Sequence, residues 1–302
     1  MKRKVILLSV FLVLCGGVNS FAQDVNFAQY FSNPLLINPA YTGSIGCSRV
    51  ALNYRNFLPA IHDDYRAYSA SYDQYVKPIY GGVGLQVISD HLGYETSTSV
   101  SGSYAYNLNL KNNLHIRPAI NLGMGLKQID WSGFSTTPTN KTSSKYYFNV
   151  GTGLLIAYKN FITGFSYDHI NRPDIGFYET FRLPSKLAIH CSYQFDINER
   201  AFLTPGIIFF KQQNYNEIAY NLLLKYHFIK AGIGFRQGFD NPDGATFMLG
   251  YCNDYMSIGY SYDIYISKLS TATGGTQEIS ATFKFNCKND KEKFKITQLN
   301  GF

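Results

Sequence analysis

The chain has 302 residues, room for one large domain or two ordinary ones. Aromatic residues reach 16% while charged residues fall to 16%, where an average soluble domain carries roughly 25% charge. With 25 Tyr, 23 Phe, 26 Gly, one Trp and a formal charge of +7, the composition disfavours a disordered chain. It also disfavours a helical bundle and suits an all-β protein that shows aromatic rings to something other than water.

The first element in chain order is a leader. Lys2, Arg3 and Lys4 give a basic start, Val5 to Leu14 an apolar core, and Ser20-Phe21-Ala22 a small-x-small end. This is the pattern of a secretory signal peptide over residues 1–22, cleaved to leave Gln23. Cys15 raises the rival reading of a lipoprotein signal, but the residue before a lipidated Cys should be small and here it is Leu14. Loss of the three basic residues lowers the charge from +7 to +4. An exported chain with no long basic run is not expected to bind nucleic acid. No later stretch approaches the ~20 apolar residues of a membrane helix. The mean hydropathy of -0.13 leaves a membrane barrel open, because barrel strands alternate lipid-facing apolar with lumen-facing polar residues.

That alternation is present. Val100, Tyr104, Tyr106, Leu108 and Leu110 share one parity, and Ser101, Ser103, Ala105, Asn107 and Asn109 the other. Ile218, Tyr220, Leu222, Leu224, Tyr226 and Phe228 form a second outward row. Met256, Ile258, Tyr260, Tyr262 and Ile264 form a third, and Ile279, Ala281, Phe283 and Phe285 a fourth. Fourteen runs of this kind lie near 47–56, 65–76, 81–90, 95–110, 114–130, 144–158, 161–169, 183–195, 201–212, 216–227, 229–236, 245–252, 255–265 and 276–285. Many are about the ~10 residues that cross an outer membrane when tilted. Tight turns at Lys77-Pro78, Lys111-Asn112-Asn113, Lys159-Asn160 and Asn253-Asp254 alternate with longer loops such as 131–143 and 170–182. The expected fold is therefore a transmembrane antiparallel β-barrel of 14 strands in the outer membrane. A secreted β-sandwich also alternates, but its strands are usually ~5–6 residues long and it needs no aromatic girdle.

No strong catalytic or metal motif is present, and neither an enzyme nor a cofactor is expected. The six His are dispersed, and no H-E-x-x-H or C-x-x-C spacing occurs. His62-Asp63-Asp64 is a candidate cation ligand set, with a solvated loop as the ordinary reading. Gly82/Gly84, Gly123/Gly125, Gly151/Gly153 and Gly232/Gly234 lack the third Gly of a dinucleotide fingerprint and are read as relieving crowding in curved strands. Cys191 shares the lipid-facing parity of Ile189 and Tyr193 and reads as a small hydrophobe. Cys47 opens the first strand and Cys287 follows the last. In a closed barrel those strands are neighbours, so a Cys47–Cys287 disulfide is expected as a lock on the seam. The lumen is expected to carry Arg49, Arg55, Lys186, Lys225 and Lys284 beside Asp73, Asp168 and Asp263. A water-filled anion pore is one reading of that set; mutually paired charges closing a narrow barrel is the other, favoured by the mixed signs.

Between leader and first strand lies Phe27-Ala-Gln-Tyr-Phe-Ser-Asn-Pro-Leu-Leu-Ile-Asn-Pro-Ala-Tyr-Thr-Gly43, whose Asn-Pro pairs are turn initiators. It reads as an ordered segment outside the barrel, folded against the periplasmic mouth. This stretch resembles the start of the PorP/SprF family, outer-membrane components of the Bacteroidetes type IX secretion and gliding machinery. The resemblance continues through Tyr54-Arg55-Asn56, Gly81 to Gly93, Arg182-Leu-Pro-Ser-Lys186, Gly259-Tyr-Ser-Tyr-Asp263, Ser267-Lys-Leu269 and Glu278-Ile-Ser280. Phe57-Leu58-Pro59 departs from the family's usual Gln-Trp-Pro.

The resemblance implies a non-enzymatic barrel, integral to the cell outer membrane, that works with periplasmic ring or peptidoglycan-linked proteins and with a secreted surface cargo or adhesin. The chain then divides into signal peptide 1–22, N-terminal periplasmic segment 23–46, barrel 47–285 and a basic periplasmic tail 286–302. Phe27, Tyr30, Asn33, Pro34, Asn38, Pro39 and Tyr41 are the candidate partner-binding residues of the periplasmic face, with a purely structural plug or clasp as the alternative. Loops near 57–64, 131–143, 170–182 and 237–244 are the candidates for cargo contact. A passive porin for small polar solutes is the competing function.

Overall fold

The computed structural model describes residues 24–57, 59, 65–134, 142–239, 244–265 and 274–287. The leader, His62-Asp63-Asp64, most of the candidate cargo loop 57–64, half of 237–244, part of 131–143, and the tail beyond Cys287 lie outside the described residues.

Among the described residues sixteen strand segments make up the wall. They are β1 (Ser48–Phe57), β2 (Tyr65–Val76), β3 (Gly81–Leu92), β4 (Glu95–Tyr106), β5 (Leu108–Leu110), β6 (Leu114–Asp130), β7 (Thr142–Tyr158) and β8 (Phe161–Asp168). There follow β9 (Lys186–Tyr193), β10 (Phe195–Asn198), β11 (Ala201–Gln212), β12 (Tyr215–Tyr226), β13 (Ile229–Gly238), β14 (Gly244–Cys252), β15 (Met256–Tyr265) and β16 (Thr276–Phe285). β5 and β10 prolong the staves begun by β4 and β9, so the barrel has 14 staves. All pairings are antiparallel, and β16 closes onto β1 in continuous register, from Ser48 opposite Phe285 to Phe57 opposite Thr276. Closure leaves no free edge. Among the described residues no helix is long and apolar enough to cross a membrane.

Side chains divide cleanly between the two faces. On β16, Thr276, Glu278, Ser280, Thr282 and Lys284 are buried inward, while Ile279, Phe283 and Phe285 point out. β12 shows Tyr220, Leu222, Leu224 and Tyr226 outward, as the period-2 pattern requires. The expected run 183–195 begins later, at Lys186, because the Leu183 N–H is held in the preceding loop by the Pro173 carbonyl. It is interrupted at Gln194, whose N–H donates to the Asn160 carbonyl, and resumes as β10.

The two mouths differ. At one, turns of two to four residues follow β2, β5, β7, β10, β12 and β14; at the other lie the long connections, the best described being 169–185. Outer-membrane barrels keep short turns on the periplasmic side and long loops outside. Exposed Tyr80, Tyr106, Tyr158, Tyr226, Phe228 and Tyr255 ring the short-turn end, where an aromatic girdle meets the lipid headgroups.

Residues 24–46 are not outside the barrel. They form a strap that runs through the lumen, and this corrects the expectation of a segment folded against the periplasmic mouth. Its one-turn 3-10 helices, Pro34–Leu36 and Pro39–Tyr41, each begin on an Asn-Pro pair, where Pro presets the first turn and lacks an N–H that would need a partner. The Asn38 side chain caps the second by accepting from the Ala40 N–H. The physical reason for the placement is polarity. Gln29, Asn33 and Asn38 are fully buried and their amides need partners that a polar lumen supplies.

Candidate partner-binding site in the barrel lumen

The strap enters at the long-loop mouth and leaves at the short-turn mouth. At the outer end the Asp24 carboxylate lies 2.8 Å from His169 Nε2 and 3.9 Å from Lys186 Nζ, and the Asp24 N–H donates to Gln212 Oε1 at 3.0 Å. Phe27 packs with Phe57 and Ala67 near the same mouth. Next, the Ala28 and Gln29 N–H groups donate to the two oxygens of Glu278, at 2.7 and 3.0 Å. The Gln29 side chain adds bonds to Ser261, Ser280 and the Glu278 carbonyl. Tyr30 meets Asn221, and Asn33 bridges Ser69 and Ser71.

Deeper in, Asn38 donates to the carbonyls of Leu154 and Phe165, each at 3.0 Å. Arg117, wholly buried, donates to the carbonyls of Ala40 and Thr42. The Gly43 N–H reaches Asp73, itself paired with Arg49 at 2.7 Å. Leu35, Ala40, Tyr41 and Ile45 then join Ala105, Leu155 and Ile162 in the largest apolar cluster. A segment that touches strands on every side of a closed barrel lies inside it.

Three strand glycines make the passage. A Cβ at Gly82 would strike the Thr42 carbonyl, one at Gly153 the Asn38 amide oxygen, and one at Gly259 the Gln29 amide oxygen. Gly82 and Gly153, expected to relieve wall curvature, face the strap instead, and Gly259 joins them. Gly43, at φ +64°, sits against Gly82 in a conformation that side chains disfavour.

Of the seven residues expected on a periplasmic face, Phe27, Asn33, Pro34, Asn38, Pro39 and Tyr41 are buried in the lumen and Tyr30 is half-buried. None of the seven is displayed at a surface. Four of the charges expected inside are closely paired: Arg49 with Asp73, and Arg55 with Asp263 and also with Glu278. Glu278 and Arg117, the two wall residues with most hold on the strap, were absent from that expected set. Their signal was a buried parity, but a charge on an inward parity does not reveal that its partner is a peptide main chain.

At the short-turn mouth Cys47 and Cys287 are joined, with Cα atoms 4.5 Å apart, directly below the end of the strap. At the other mouth the 169–185 loop is organised by Asp174. Its carboxylate accepts from Lys145 Nζ and from the Gly176 and Phe181 N–H groups. These donors, the Lys145 ammonium first, hold its pKa down to about 2. Between strap and wall, on the β3–β7 side, a space of about 170 Å³ remains, with a mixed lining that includes Gln86, Asp90 and Asn121 beside Leu35, Ile88 and Met124. Among the described residues no group of three or more His, Cys, Asp or Glu is arranged to hold a metal.

A closed antiparallel barrel with an apolar, aromatic-girdled exterior and a polar, strap-filled lumen defines an integral outer-membrane β-barrel protein. Solved structures agree on that fold. The Acinetobacter baumannii outer membrane protein Omp33 matches at a TM-score of 0.51 and 11% identity, over 81% of this chain and 100% of that one. The P. putida toluene transporter TodX matches at 0.52 and 13%, over 84% and 94%. The CymD monoaromatic hydrocarbon channel matches at 0.53 and 13%, over 84% and 93%. No curated protein matches the sequence. The sequence profile of the type IX secretion system membrane protein PorP/SprF matches residues 19–283, and the chain belongs to that family.

Proposed function

We propose that this chain is a non-enzymatic barrel of the type IX secretion and gliding machinery. In this reading it joins periplasmic ring or peptidoglycan-linked partners to the export or surface attachment of a cargo such as a large adhesin. The observation that carries the reading, beside family membership, is the strap that occupies the lumen from mouth to mouth. A passive porin needs an open aqueous bore, and here Arg49, Asp73, Arg55, Asp263, Glu278 and Arg117 are taken up by ion pairs and by the strap. The short-turn mouth, with the Cys47–Cys287 seam, offers a rigid face to internal partners, and the ordered 169–185 loop offers one to a surface cargo.

A clean deletion, with surface and medium compared against the parent by quantitative proteomics, tests this. Loss of many type IX substrates makes the protein a core component, and loss of one surface protein makes it a dedicated partner barrel. Normal export and display of every cargo would overturn the secretion reading.

A further inference from the structure

We propose that the lumen is a binding site for a polypeptide segment, that residues 24–46 are its resident occupant, and that a segment of another protein can take their place. The proposal goes beyond the secretion reading and does not rest on it.

The grounds lie in what the wall grips. Glu278 accepts the N–H groups of Ala28 and Gln29, Asp73 that of Gly43, and Gln212 that of Asp24. Thr282 Oγ1 donates to the Ser32 carbonyl at 2.9 Å, Ser166 Oγ to that of Ile37 at 2.6 Å, and Arg117 to those of Ala40 and Thr42. All eight are main-chain groups, which every non-proline residue carries. The wall also binds the Gln29, Asn33 and Asn38 side chains, so a replacing segment keeps amide side chains at those three places while its other positions vary, and the space of about 170 Å³ beside the strap leaves room for larger side chains.

The strap also contributes nothing to the hydrogen-bond ladder. Each stave is paired on both sides by its neighbours, so the wall is complete without it. The two ends of the strap are held differently. The inner end runs into the covalent seam at Cys47, while the outer end is held at the mouth by side chains of His169, Lys186 and Gln212. Exchange therefore begins at the long-loop mouth.

The test uses the full chain with a protease site inserted between Gly46 and Cys47, folded in detergent micelles and then cut. A fluorescent synthetic peptide of residues 24–43 is added and followed by anisotropy. The expected result is saturable exchange with the cut strap, weakened more than about tenfold by Arg117→Met or by N-methylation of the peptide at Ala28 and Gln29. No exchange, or binding indifferent to both changes, would overturn the proposal. Should the insertion prevent assembly, the uncut chain carrying Ser280→Cys with Cys191→Ser and Cys252→Ser answers the same question. Maleimide labelling of the thiol over hours supports a strap that leaves; full protection until the barrel is denatured contradicts it.

Discussion

Arg55 and Glu278 form an ion pair of 2.8 Å inside the barrel, and the same carboxylate accepts the Ala28 and Gln29 N–H groups. One acid thus serves wall and strap together. Arg55 also meets Asp263 at 2.5 Å, which Arg236 meets at 2.8 Å, so four side chains from four strands are linked in one run of ion pairs. Glu278→Leu removes one member of a buried pair, a change that costs about 3–5 kcal/mol, and leaves two N–H groups without their acceptor. Glu278→Gln keeps an acceptor and loses the charge, at about 1–3 kcal/mol. Denaturant unfolding in micelles should rank wild type above Gln above Leu. Proteolysis of the strap should follow the same order, and three equal midpoints would contradict the role given to Glu278.

The seam gives a second prediction. Cys47 and Cys287 close a loop across a sequence separation of 240 residues. Cross-links over long loops stabilise by about 2–4 kcal/mol, chiefly through the unfolded chain. A non-reducing peptide map should recover the two cysteines joined, and Cys287→Ser should lower the unfolding midpoint without opening the β1–β16 pairing. Two free thiols in protein taken from the periplasm-facing membrane would remove the seam lock from the account.

Much of the wall was legible in the sequence because lipid on one side and a polar lumen on the other impose strict alternation. Ile279, Phe283 and Phe285 could point only outward once Glu278 and Ser280 pointed in. The strap was not legible, for a physical reason. Gln29, Asn33 and Asn38 satisfy their amides equally well in water and in a polar lumen, so composition does not separate an outer clasp from an inner occupant. The separating signal was the strand glycines. Gly82, Gly153 and Gly259 look like bends until the residues they would strike are known to be Thr42, Asn38 and Gln29.

The outer latch should respond to pH. Burial opposes charge on both His169 and Asp24, but the ion pair outweighs it. Asp24, with Asp168 behind it, raises His169 above its ordinary 6.5 even against the Lys186 charge. His169 and Lys186 in turn lower Asp24 below its ordinary 3.8. A raised His contributes fully below its unfolded value and is lost as pH rises through the folded one, while a lowered Asp contributes fully above its unfolded value and is lost as pH falls. The latch is therefore strongest between about pH 4 and 6.5. A spin label at Val25 should be more mobile at about pH 9 than at about pH 6, and His169→Gln should abolish the difference. Equal mobility at both pH values in the unaltered chain would show that the pair does not hold the strap's outer end.

The central claim is that the lumen is closed by its own N-terminal strap, and single-channel conductance in a planar bilayer tests it most directly. The unaltered protein should be nearly silent, and Gly82→Val, whose side chain would occupy the place of the Thr42 carbonyl, should raise conductance several-fold by dislodging the strap's base. A large, steady conductance from the unaltered protein that Gly82→Val leaves unchanged would contradict the account and favour a diffusion pore.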